Sequence, residues 1–226
     1  METTKLIVEY LIIGLLTCLS ILFLIFNVMP ADVQTIWLAF SQNSSLTGIT
    51  MVAMLLPAAY GSGLIVEYLG MLPFESQFDV VKERRFPAYV QQNLAWLSKN
   101  SLFKNSIPDL RSLPKNAGRR MYGEMRFFVL MNSALLYQEI ERHLNQVRIL
   151  RSLTIVVFFF IVGMIVRLVT SGVSILSVLG LLAFILLLIF NIRAILHRFN
   201  QYCRAIERSF KALVIDDAGG KPRRTS

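Results

Sequence analysis

Four apolar runs decide what this chain can fold into. They cover residues 6–28, 46–72, 153–170 and 175–195. The first holds 23 residues and as a helix rises about 34 Å, against a hydrocarbon core roughly 30 Å thick. Lipid offers backbone N–H and C=O groups no partner, so a span of this kind must satisfy them internally, as a helix. The expectation is an all-α, polytopic membrane protein with four transmembrane helices and a helical cytoplasmic domain. Residues 1–5 hold one lysine and one glutamate and no small-x-small cleavage pattern follows the first run. It therefore reads as a retained span and not a cleaved signal peptide.

Composition matters here through where the charge falls. Of 226 residues 55% are hydrophobic, above the roughly 45–50% of a soluble domain, yet the net charge is +9. Lys5 precedes the first span, thirteen lysines and arginines lie between Lys82 and Arg151, and eight run from Arg193 to Arg224. The loop after the first span and the link 170–174 carry none; Arg167, near the outer end of the third span, is the exception and can snorkel to the interface. This asymmetry puts both termini and the large loop in the cytoplasm. It also suits a bilayer with anionic headgroups, to which each juxtamembrane cation adds roughly 1 kcal/mol. Arg84, Arg85, Arg119, Arg120, Arg148, Arg151, Arg193 and Arg198 are the candidate contacts to lipid or to a cytoplasmic protein partner. No zinc finger, aromatic RNA motif or glycine clamp accompanies the charge, so nucleic acid is set aside as a partner. Cys18 and Cys203 fall at different levels of this topology, and no disulfide is expected between them.

The organisation that follows has an N-terminal transmembrane hairpin over 1–72 (spans 6–28 and 46–72) and a cytoplasmic helical region over 73–151. A second transmembrane hairpin covers 152–195, an amphipathic cytoplasmic helix 196–215 and a disordered tail 216–226. Pro73 is expected to end the second span. Arg85-Phe86-Pro87 and the residues up to Leu97 read as a short helix with proline in its first turn. Residues 99–118 have turn composition and read as a loop. From about Arg120 the helical pattern runs without a breaker into the third span, predicting one long helix. After the fourth span Ile195, Phe199, Tyr202, Ile206, Phe210 and Leu213 recur every three or four residues with arginines between them, an amphipathic extension. The two legs of this hairpin should pack stripe against stripe.

Inside the spans Glu9 and Glu67 are the only acids, each within a copy of the hexapeptide LIVEYL (6–11 and 64–69). They can form acids at a pore mouth or couple to Arg148, Arg151 or Arg193; a boundary carboxylate that snorkels or pairs locally would look the same. Pro57, Tyr60, Gly61, Ser62 and Gly63 put a proline and small residues in the middle of the second span. That pattern suits either a kinked pore lining or a close helix crossing. Asn27, Asn191 and Ser20 read as packing polars. Glu139 and His143 are four apart on a predicted helix, without the second copy or the spacing of a di-iron site. There is no HExxH, GxSxG or phosphate-binding loop; no residue is named as catalytic, metal-binding or cofactor-binding, and no cofactor is expected.

From Arg120 to Val214 the order is a helix rich in arginine and glutamate, a tight two-span hairpin, and an amphipathic helix with Tyr202, Ala205 and Leu213 in its core stripe. That order resembles the SLATT-like two-span effector modules of bacterial nucleotide-signalling and anti-phage systems. The resemblance covers under half the chain, and the N-terminal pair of spans departs from it. It implies an effector that forms pores in the membrane or disturbs it. Together with the kinked second span, the acids at its inner end and the long helices, the leading expectation is a homo-oligomeric bacterial inner-membrane protein that permeabilises or gates the bilayer, in a defence setting. The rival expectation is a membrane scaffold or assembly subunit that docks a cytoplasmic partner, with the second span packed tightly by Gly61 and Gly63.

Overall fold

A computed structural model of the chain describes residues 2–28, 35, 45–97 and 116–218. They form helices α1 (Glu2–Val28), α2 (Ser45–Leu97), α3 (Ala117–Asn132), α4 (Ala134–Ser171) and α5 (Ile175–Ala218). Among the described residues there is no strand. Helices α1, α2, α4 and α5 are each long and apolar enough to cross a membrane, as the four apolar runs predict. The chain divides into two compact units: Met1–Pro73 with Arg148–Ile195, and Phe74–Val147 with Leu196–Ser226.

The first unit contains the apolar helical segments. Its side chains are turned outward to a degree no water-soluble core would tolerate: Ile175, Leu176, Leu179, Leu182, Leu186 and Phe190 of α5 are all exposed. An exposed apolar surface of this kind suits acyl chains, and what holds the helices to one another is close van der Waals fit and small polar side chains. Asn191 is buried and donates from its amide nitrogen to the Leu150 carbonyl (2.9 Å) and the Thr154 hydroxyl (2.8 Å). Asn27 and Ser20 donate back to the Phe23 and Thr17 carbonyls of their own helix. All three are the packing polars their positions suggest. Phe160 stacks on Phe184 at 5.2 Å between centroids. Gly172, at φ 81°, makes the turn from α4 to α5, a conformation that strains any residue with a Cβ.

The second unit has an ordinary hydrophobic core. Phe86, Met121, Tyr122, Met125, Val129, Ile140, Val147, Ile206 and Phe210 lose nearly all contact with solvent, each such large apolar side chain contributing about 1.5–3 kcal/mol. Of the stripe read from the sequence after the fourth span, Phe199, Tyr202, Ile206 and Phe210 are buried in this unit and Leu213 is half-buried, while Ile195, also buried, belongs to the first unit. Phe78 stacks on Phe199 with centroids 3.9 Å apart, and Phe128 meets Phe210 edge-on at 5.2 Å.

Five expectations about helix ends are corrected. Pro73 does not end a helix, nor does Pro87 begin one: α2 runs through Pro57, Pro73 and Pro87 without interruption. Each proline costs a backbone hydrogen bond, but all three are exposed, while Phe74 and Phe78 after Pro73, and Phe86 before Pro87, are buried. Packing holds the helix where local propensity would end it. The short helix expected at 85–97 is the end of α2. Conversely, the long helix expected from Arg120 is broken at Ser133, whose backbone is extended (φ −155°, ψ 109°). Ser133 caps α4 through a long contact from the Leu136 N–H to its hydroxyl (3.4 Å), so Asn132-Ser133 is the turn signal in the sequence. The expected loop 99–118 lies mostly outside the described residues, but Ala117 and Gly118 already belong to α3. Of the expected disordered tail, residues 216–218 complete α5 and the rest lies outside the described residues.

Candidate functional site

In the first unit the functional candidates gather where α1 crosses α2. A Cβ on Gly14 would fall on the Ala59 backbone, and one on Gly63 would fall on the Tyr10 carbonyl. The two backbones touch at both points, which only glycine permits. Ser62 seals the crossing, its hydroxyl lying 3.0 Å from the Ala59 carbonyl, 3.3 Å from the Gly14 carbonyl and 3.7 Å from the Cys18 sulfur. One helical turn further, the Tyr10 hydroxyl donates to Glu67 Oε2 at 2.5 Å, and Arg148 Nε lies 3.7 Å from Glu67 Oε1. Glu67 thus joins α1, α2 and α4. Gly70 then brings α2 against the backbone of Arg151, with a Cβ there meeting it at 3.1 Å.

The candidate pore residues are therefore split by the fold. Ser62, Gly63 and Glu67 face α1 and α4. Pro57, Tyr60 and Gly61 look another way: Pro57 and Tyr60 are exposed, and the space beside Gly61 is open within 4 Å. Tyr60 keeps one edge-on contact with Tyr10, at 6.0 Å between centroids. Glu9 is half-buried and makes no ion pair among the described residues. Of the two acids, Glu67 alone is tied to an arginine among the described residues.

The candidate basic contacts are divided as well, since several are spent inside the chain. Arg85 sends Nε and Nη2 to Glu207 (3.2, 3.0 and 2.8 Å) and Nη1 to Asn200. Tyr122 donates its hydroxyl to the same carboxylate. Burial first, then the Glu207 charge, hold the Tyr122 phenol well above its ordinary range, so it remains a donor. Arg119 pairs with Asp79 at 3.1 Å and Arg120 with Glu124 at 2.8 Å. Arg151 is buried, Arg148 holds Glu67, and Arg198 donates to Gln201. Arg84 and Arg193 are exposed.

A second polar knot ties α3 to α4. Arg126 donates to Glu141 Oε1 (2.5 Å) and to the Tyr137 hydroxyl (2.9 Å). Burial would push the Arg126 guanidinium down, but Tyr202, Tyr137 and Glu141 carry it above its ordinary value. At the start of α3, Asn116 caps nothing with its side chain; instead Glu83 of α2 accepts from the N–H groups of Gly118 (3.2 Å) and Arg119 (2.8 Å). A carboxylate at a helix N-terminus satisfies orphan donors and suits the helix dipole.

Tyr10, Glu83, Tyr122 and Glu207 were missed in the sequence. For Glu207 there was a signal: it lies between Cys203 and Phe210 on the edge of the buried stripe, where an acid needs a partner. No group of three or more metal-ligating side chains comes together among the described residues, and both cysteines are free. The described residues define an all-helical chain with four helices long and apolar enough to cross a membrane, which suggests a multi-pass membrane protein, and with a second compact helical unit. No protein family, no curated protein and no solved structure matches the chain.

Proposed function

We propose that this protein is a homo-oligomeric effector of a bacterial inner membrane, with its termini and its second unit in the cytoplasm. Its spans form or gate a permeation path in response to a signal received by the cytoplasmic helices. The resemblance of residues 120–214 to membrane effector modules points to anti-phage defence as the setting. The observation that carries the gating reading is the Tyr10–Glu67–Arg148 link. A carboxylate and a guanidinium at the end of two spans are costly unless paired, and intramembrane charges of this kind mark functional sites by default. The pair bridges α2 and α4, and each of these helices continues from the first unit into the second. Any shift of α4 along α2 has to break or remake it. Glu67 and Arg148 act as a latch, and the exposed Pro57, Tyr60 and Gly61 edge of α2 is the side offered to a neighbouring protomer or to water.

The test is flux from liposomes holding the full chain. Loss of a half-buried pair coupled by about 1–2 kcal/mol releases the latch, so Glu67→Gln should raise dye or ion efflux by roughly tenfold over the unaltered protein. Arg148→Gln should do the same, and the double variant should add little.

Tight packing supports a second reading, in which the protein is a scaffold that docks a cytoplasmic partner. The glycine contacts of Gly14 and Gly63 leave no gap between α1 and α2. If neither the protein nor either variant passes solute, and electron microscopy of nanodisc-embedded protein finds α2 sealed on all sides, the scaffold stands.

A further inference from the structure

A cleft of about 520 Å³ in the second unit lies between α2 and α5. Four arginines line it, Arg84 and Arg85 from α2 and Arg204 and Arg208 from α5, with Glu207 its one acid. Glu207 is already committed, since both its oxygens take Arg85 and one also takes the Tyr122 hydroxyl. Arg85 is committed in turn to Glu207 and Asn200, and serves as a fixed wall. Arg84, Arg204 and Arg208 remain exposed, and none has an acidic partner among the described residues. Arg208 Nε leans on the Arg204 carbonyl at 3.4 Å, which orders one of them. On α2 the residues four apart are Arg84, Ala88 and Gln92, so the middle of that wall is a methyl group.

Uncompensated guanidiniums facing each other across a concave surface repel, and the field between low-dielectric walls attracts anions. Guanidinium forks match the paired oxygens of a phosphate better than any point charge, and arginines from two helices reach a tetrahedral group from more than one direction. The volume falls within the range that holds a small molecule.

We propose that this cleft binds a phosphate monoester or diphosphate group, carried by a soluble small molecule or by a lipid headgroup. Arg84, Arg204 and Arg208 supply the charge, and Gln92 adds a neutral donor at the far end. Binding here is independent of whether the spans conduct.

The test uses the full chain in phosphatidylcholine nanodiscs, titrated calorimetrically with sodium pyrophosphate. A parallel arm compares melting in discs with and without phosphatidic acid. The triple variant Arg84→Gln, Arg204→Gln, Arg208→Gln is set beside a control, Arg142→Gln with Lys211→Gln, which removes exposed charge elsewhere in the second unit. Saturable pyrophosphate binding, weakened more than about tenfold in the triple variant and unchanged in the control, identifies a soluble phosphate ligand. Stabilisation by phosphatidic acid alone, lost in the triple variant only, identifies a headgroup. Phenylglyoxal modification of the unaltered protein reads the same site without any substitution: the three arginines should be protected by whichever probe binds. No binding and no protection by either probe overturns the proposal, as does equal loss in the triple variant and the control, which would mean general surface charge.

Discussion

Tyr122 sits at 2% exposure between Phe86 and the Arg85–Glu207 pair. Removing its hydroxyl leaves part of Glu207 unsatisfied, and Tyr122→Phe should cost about 1–2 kcal/mol near neutral pH. The pH dependence has a definite sign. The folded value lies above the ordinary 10.0, so the unfolded chain gives up this proton first as pH rises. The stability from this group is complete below about pH 10 and declines as pH climbs beyond it. Melting of the solubilised chain at about pH 8 and about pH 10.5 should show a smaller alkaline loss in Tyr122→Phe than in the unaltered protein; equal losses would remove Tyr122 from the explanation. Glu207 shows why such groups escape a sequence reading. Its spacing from Cys203 and Phe210 places it at a core edge, but which arginine of 23 cations reaches it is set 122 residues away, at Arg85.

At the scale of the element, α2 decides most of the architecture. Its glycines look alike in sequence and differ in what they meet. Gly63→Ala drives a methyl group into the Tyr10 backbone and should destabilise the α1–α2 crossing by about 1–3 kcal/mol. Gly61→Ala meets open space and should leave the melting temperature unchanged or raise it slightly. Thermal unfolding of both variants in one detergent checks the pair, and a loss at Gly61 equal to that at Gly63 would mean that a second protomer covers Gly61. In the sequence residues 57–63 form one stretch, because small residues in a span have one composition whether they pack or line water. The same limit appears at the helix ends. Pro73 and Pro87 are strong local stop signals, overridden because Phe74, Phe78 and Phe86 are anchored in a core the local window does not contain. Ser133 is a weak local signal, and it prevails: its backbone is extended and its hydroxyl caps α4.

For the whole molecule, the proposed topology makes a direct prediction. Val173, in the turn between α4 and α5, is 82% exposed, and Glu139 lies before the apolar part of α4. In a background with Cys18→Ser and Cys203→Ser, Val173→Cys should react with a membrane-impermeant maleimide on intact cells. Glu139→Cys should react only after permeabilisation. The reverse pattern would invert the protein and move the arginine cleft to the other side of the membrane.

By itself the sequence determined that there are four helices long and apolar enough to cross a membrane, and which face of the last helix is buried. These follow from local composition and period: a run of twenty apolar residues has one acceptable form in lipid, and a stripe at helical spacing has one face to bury. Tertiary structure alone decided which glycine touches a neighbouring backbone, that Glu67 meets Tyr10 and Arg148, that α2 passes through its prolines, and which arginines are spent internally. Each of these depends on a partner distant in the chain, and the free energy of a close contact or an ion pair belongs to both residues at once.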